Sequence, residues 1–187
     1  MIRSKQELNY YLECDRRSLC INRKSPRLFS DEVWKFQRSL RRLEYYSNVG
    51  GVINRVMRLI EKFRFHQLSL RLGFSIPINV FGPGLAIVHY GTIVVSNGAK
   101  IGANCRIHEG VTIGATNGSS KAAIIGDNVF IGSGAKIIGE VKISSDVAIA
   151  ANAVVVKDII CERGCTVGGV PAKILNYNNS SSNIFKL

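Results

Sequence analysis

From Val95 onward the chain repeats with a period of six. Aliphatic residues stand at 95, 101, 107, 113, 125, 131, 137, 143, 149 and 155, a run of Val, eight Ile and Val that skips only the slot at Ser119. Small or β-branched residues stand four places further on: Ala99, Cys105, Val111, Ala123, Val129, Ala135, Val141, Val147 and Ala153. Gly follows the aliphatic at 102, 114, 126 and 132, and Asn or Asp precedes the small residue at 104, 128, 146 and 152. A helix cannot use this pattern, because six residues make about 1.67 turns and scatter the aliphatics around its axis. A hairpin sheet would alternate with period two between turn signals. Period six instead predicts a mainly β prism of short strands, each hexad one flat face. The aliphatic residue fills the interior, and Gly or Asn accepts the strained corner. Three hexads close a coil, so residues 18 apart are expected to stack at about 4.8 Å, as in an Ile107–Ile125–Ile143 ladder.

Residues 1–75 read as a small α-helical head, 76–175 as the prism and 176–187 as a polar tail expected to be disordered. Ser4 with Glu7 three places on forms a capping box for a first helix to about Glu13. Ser30 is the expected cap of a second helix, whose Val33, Phe36, Leu40 and Leu43 share one stripe beside Trp34. A third helix is expected from Val52 to Leu70, between Gly50–Gly51 and Gly73. Its predicted packing side is Ile53, Val56, Met57, Ile60 and Phe63. Such a head would cover the first coil, whose strand edges would otherwise be unpaired.

The net charge of +12 is uneven: residues 1–72 hold 16 basic and 7 acidic side chains, the rest 9 and 6. The head lacks the aromatic-basic interleaving of a nucleic-acid module, so no nucleic acid is expected. Peripheral contact with a membrane surface stays open, and no run approaches a membrane span. No apolar stretch follows the first charges, so no secretion signal is expected. Five cysteines without a CxxC then predict reduced thiols and a cytoplasmic chain. Cys105 falls in a small inward slot and reads as core.

Of three histidines, His66 reads as a helix-surface residue. His89 lies 18 before Ile107, which puts it in an aliphatic slot, where an imidazole breaks the chain's own rule. His108 follows the Ile107 slot, near a corner. The two should be neighbours on consecutive coils, about 5–8 Å apart. A histidine so placed can serve as a general base that titrates near neutrality.

The segments IGDNVFIGSGAKIIGEVKI and GGVPAKIL resemble the hexapeptide acyltransferases, whose fold is a left-handed parallel β-helix. GLAIVHYGTIVVSNGAKIGANCRIHEGVTIGATNG is similar to the serine O-acetyltransferase branch and its relatives in polysaccharide modification. The resemblance implies an acetyl-CoA-dependent O-acetyltransferase working without a metal, with His89 as base. Asn79 or Glu109 would orient that ring, and His108 would take an added role. It implies a homotrimer, with trimers free to pair, and coenzyme A in the groove between adjacent prisms. Gly114, Ala115, Ser133, Gly134, Ala135, Ala151 and Ala153 would admit its pantetheine arm, and Lys157 and Lys173 would meet its phosphates. Tyr90, Glu109 and Lys121 are the expected acceptor contacts. Where serine acetyltransferases carry a second active-site histidine that helps bind the serine carboxylate, this chain has Ala122. Both L-serine and a sugar hydroxyl therefore stand as acceptors. The rivals are a sugar N-acyltransferase, a non-catalytic trimeric scaffold with a basic head, and a zinc enzyme on the same prism. The last needs three histidines where the prism has two.

Overall fold

The structure, a computed structural model, describes residues 1–185. Three helices lead: α1, Lys5–Ser18; α2, Glu32–Asn48; and α3, Val52–Leu72. The Ser4 hydroxyl accepts the Glu7 N–H at 3.1 Å and caps α1, while the Glu7 carboxylate reaches one residue past the expected capping-box partner to accept the Arg3 N–H at 2.6 Å. Ser30 does not cap α2 as expected. Asp31 is the cap residue, with φ 64°, and its carboxylate is drawn away by the Arg27 N–H and by Arg23. Gly51 and Gly73 bound α3 with φ of 111° and 76°. None of these helices is long and apolar enough to cross a membrane.

From Phe74 the chain winds as a left-handed parallel β-helix with three sheet faces. The three interior ladders are Val95–Ile113–Ile137–Val155, Ile101–Ile125–Ile143 and Ile87–Ile107–Ile131–Ile149–Val167. All these side chains are buried, and each contributes on the order of 1.5–3 kcal/mol. Ile107 therefore stacks on Ile131, not on Ile125 as the 18-residue count predicts. The skipped hexad is extruded between the strands Thr112–Gly114 and Ile124–Ile125, so separations across it become 24. At the corners, Asn104, Asn128, Asp146 and Asn152 all take positive φ, between 55° and 61°. The first three form a side-chain ladder: Asn104 Nδ2 donates to Asn128 Oδ1, and Asn128 Nδ2 to Asp146 Oδ1, each at 3.0 Å.

The head closes the first coil with side chains in place of a strand. The Gln37 amide donates to the Leu85 carbonyl at 2.6 Å and accepts the Ile87 N–H at 3.1 Å, pairing the edge of Ala86–Ile87 as a neighbouring strand would. Beside it, the buried Arg41 guanidinium binds Asp15 at 2.8 Å, Glu44 at 3.1 Å and the carbonyls of Phe81 and Gly82. Asp15 in turn accepts the N–H groups of Gly84 and Leu85. This network ties α1 and α2 to the first corner. At the far end, Ala172–Asn176 folds back antiparallel on Thr166–Gly169 after a cis Val170–Pro171 bond.

Three further expectations are corrected. The tail is ordered through Phe185: Ser180 is buried, its N–H donates to the Asp146 carbonyl, and Asn104 Nδ2 donates to the Phe185 carbonyl at 3.0 Å. The asparagine corners leave polar groups for this strap to satisfy. Residues 186–187 lie outside the described part. Cys161 and Cys165, expected as thiols, form a disulfide, because the turn between them brings their Cα atoms to 6.3 Å, within bonding range. Finally, the expected packing side of α3 faces outward. Ile53, Val56, Ile60 and Phe63 are exposed, and the helix packs instead through Phe65, Leu68 and Leu72, with Glu61 buried.

Candidate active site

The histidine corner follows from a break in the repeat. Ala86–Ile87 pairs with Arg106–Ile107 at a separation of 20, whereas Val95 pairs with Ile113 at 18. Two extra residues therefore sit in the first coil between Ile87 and Ile93. Ile87, not His89, takes the interior slot, and His89 is carried outward onto an exposed corner. This corrects the expected inward imidazole: the added residues relieve the conflict that the 18-residue count creates.

One coil further on, His108 leaves its strand at the same corner. The two ring centroids are 5.9 Å apart, inside the expected range. His108 is half-buried, edge-on to Phe130 at 5.2 Å, and its Nε2 is shielded without a hydrogen-bond partner. Burial, aided by the charge of Arg106, holds its pKa below the usual histidine value, so the ring is neutral at pH 7. Its Nδ1 lies 3.9 Å from Glu109 Oε2, which is also shielded and unpartnered. The Ser133 hydroxyl and the residue's own backbone N–H hold the Glu109 carboxyl below the ordinary range, so it stays ionised. One ligand atom from each of His89, His108 and Glu109 lies within 4.8 Å of the other two. Two imidazoles and a carboxylate so placed can move a proton, and as ligand types they could also draw in a cation.

Asn79, expected to orient His89, is committed elsewhere. Its amide pairs both ways with that of Asn48 at 2.8 and 3.0 Å, because α2 packs over that corner. Glu109 is the carboxylate of the site. Tyr90 is exposed and borders a cleft of about 420 Å³ between head and first coil, lined by Leu19, Ile21, Trp34, Ile87 and Val88. Lys121 is not brought to the histidines. It sits in the extruded loop after the next strand, 3.7 Å from Glu140, and Ala122 beside it is buried. Cys105 is core, and burial pushes its thiol up to about 12, which removes it as a nucleophile.

Of the residues expected along a pantetheine path, Ala135 and Ala153 fill inward small slots and are fully buried, so they cannot line it. Ser133 and Gly134 continue the histidine corner downward, with Ala151 exposed one coil below, while Gly114 and Ala115 are half-buried on the next face. Gly134 has φ 72° and stacks beneath Gly110, where the Gly134 N–H donates to the Glu109 carbonyl at 2.8 Å. Lys157 and Lys173 are exposed. Sequence reasoning missed the contact of Ser133 with Glu109 and the role of Gly91. A Cβ on Gly91 would come to 3.0 Å from the Cβ of Glu109. Both follow from coil register, which the period alone mis-set here.

A prism of hexads with a histidine pair on one corner defines the class: residues 122–157 match the family described as bacterial transferase hexapeptide (six repeats). In sequence and fold the chain is similar to serine acetyltransferases. It is 40% identical over 135 residues to the serine acetyltransferase of Staphylococcus aureus (strain Mu50), covering 71% of this chain and 60% of that one. It is 33% identical over 120 residues to that of Synechococcus elongatus, covering 63% and 48%. A solved serine acetyltransferase from Brucella abortus in complex with coenzyme A superposes with TM-score 0.68 at 26% identity, covering 94% of this chain and 70% of the other. The chain spans about half the length of the first curated relatives it matches.

Proposed function

We propose that the chain transfers the acetyl group of acetyl-CoA to a hydroxyl, with L-serine as the acceptor. The observation that carries the reading is the His89–His108–Glu109 corner. Exposed His89 accepts the hydroxyl proton as the oxygen attacks the thioester carbonyl. The C–S bond then breaks, and the sulfur leaves with the proton that the imidazolium returns. Neutral His108 walls the site from below without adding charge to it, and ionised Glu109 offsets the charge that forms on the His89 ring. The pantetheine arm lies along Ser133, Gly134 and Ala151, and Lys157 and Lys173 meet the phosphates from the outer surface. Gly114 and Ala115 face the same arm from the neighbouring copy of a homotrimer. Similarity to serine acetyltransferases, one of them solved with coenzyme A, supports donor and acceptor.

A sugar hydroxyl is the second reading. It is favoured by the buried Ala122 and by the pairing of Lys121 with Glu140, which leave that loop without a free cation for a serine carboxylate. Thiol release from acetyl-CoA, measured with L-serine and then with sugars and oligosaccharides, separates the two. His89→Ala is expected to lose about 10²–10⁴ in rate while staying folded by circular dichroism, and His108→Ala to lose less. Equal rates for wild type and His89→Ala remove His89 as the base. No release with any hydroxyl acceptor removes the whole reading.

A further inference from the structure

We propose that the outward face of α3 is an amphipathic docking surface for an anionic lipid bilayer. Val52, Val56, Leu59, Phe63 and Leu70 share one stripe of this helix, and each is more than half exposed. The helix already packs on α2 and the coil through its opposite side, so the stripe is apolar surface that the fold itself leaves in water.

Its borders are cationic on both sides. At helical spacing, Arg55 and Lys62 fall along one edge and Arg64 and Arg71 along the other. The single carboxylate of α3, Glu61, is buried on the inner side, and of these four cations only Arg71 has a carboxylate beside it among the described residues, Glu32 of α2 at 4.0 Å. Beside Arg64 the charges gather further. Arg64, Arg38 and Arg42 line an open cavity of about 250 Å³ with Arg27, and none of the four pairs with a carboxylate side chain among the described residues. Burial, and after it the charges of Arg42 and Arg64, lower the Arg38 pKa. An apolar stripe between cationic rows, with a guanidinium pocket at one margin, matches acyl chains flanked by phosphates.

Charge decides against the other occupants. A second copy packed stripe to stripe would set cationic edges against cationic edges with no carboxylate of α3 between them. A wholly polar polyanion would meet the arginines but gain nothing from the stripe. The inference is independent of the transferase reading, since it uses no residue of the histidine corner.

Flotation of the full chain with vesicles tests it, using phosphatidylcholine alone and phosphatidylcholine with phosphatidylglycerol, at low and high salt. Binding is expected on the anionic vesicles only and should weaken as salt rises. Val56→Ser with Phe63→Ser, and separately Lys62→Glu with Arg64→Glu, should each weaken it by about tenfold or more while thiol release stays unchanged. These are exposed positions, so the fold should tolerate both changes. No binding, equal binding to both vesicle types, or binding that survives both variants overturns the proposal. So does a fall in the mass of the lipid-free protein by sedimentation on Val56→Ser with Phe63→Ser, which would make the stripe an interface between copies.

Discussion

His89 and His108 face each other across consecutive coils with ring centroids 5.9 Å apart, yet one is exposed and the other half-buried and edge-on to a phenylalanine. The difference comes from the two residues added between Ile87 and Ile93, which swing the upper corner outward while the lower one keeps the regular hexad turn. Two like side chains therefore have different solvation. The outer ring can meet a substrate and exchange protons with it. The inner ring is kept neutral by burial and by Arg106. Glu109 lies within reach of both.

Glu109→Gln separates these influences. The carboxylate raises the His108 pKa against the larger lowering by burial and Arg106, so its removal should drop that pKa further. An NMR titration of the His108 ring should show a midpoint below 6.5 in the wild type and lower still in the variant. A midpoint that rises or does not move would show that the carboxylate does not act on this ring. The stability consequence has a fixed sign. With a depressed folded pKa, His108 costs nothing above about 6.5 and destabilises the fold as pH falls below it, because the unfolded chain then binds more protons. Glu109 contributes stability above about 4.5 that is lost as pH falls through its lowered folded pKa.

Gly91 sets the distance between the added corner and the carboxylate. Its φ of 134° is one that other residues rarely adopt, and a Cβ there would crowd the Cβ of Glu109 at 3.0 Å. Gly91→Ala is expected to displace the Glu109 side chain and lower the rate of thiol release about tenfold or more, with a smaller effect on the KM for acetyl-CoA. An unchanged rate would mean that the placing of Glu109 is not critical.

The prism was legible because its code is local. Each Ile fills a slot beside its own corner, and Asn104, Asn128, Asp146 and Asn152 all adopt the left-handed backbone that their type suggested. What the repeat could not carry was register. One extruded hexad moved Ile107 from Ile125 to Ile131, and two added residues moved His89 from the interior to the corner. The histidine pair survived this error because a shift along the corner still leaves consecutive coils adjacent. The helices failed differently. Hydrophobic spacing on α3 showed that a stripe exists, not which surface it meets. A charge such as Arg41 inside a helical pattern reads as solvated until its partners are known, yet it is the buried tie between head and coil.

That tie makes a stability prediction. Arg41, Asp15 and Glu44 are all at most 2% exposed. Arg41→Met leaves two carboxylates and the Phe81 and Gly82 carbonyls without their donor, and should destabilise the protein by about 3–5 kcal/mol. Urea denaturation should report this as a lower midpoint. Gln37→Leu, which unpairs the Leu85 carbonyl and Ile87 N–H of the strand edge, should cost less, about 1–3 kcal/mol. If Arg41→Met proves as stable as wild type, the head is held by its apolar contacts alone.

The corner proposed to move a proton also offers three donor atoms of the kinds zinc accepts, and the two chemistries can be told apart. In a proton-transfer site the imidazoles must keep their lone pairs for the substrate, so an ion bound there competes with the reaction. Thorough chelation should leave thiol release unchanged. Added zinc should suppress it in the wild type and less in Glu109→Gln, where one of the three donors is weakened. Loss of activity on chelation, restored by zinc, would reverse the assignment and make the histidines ligands first. Suppression of equal depth in both proteins would place the inhibitory ion away from this corner.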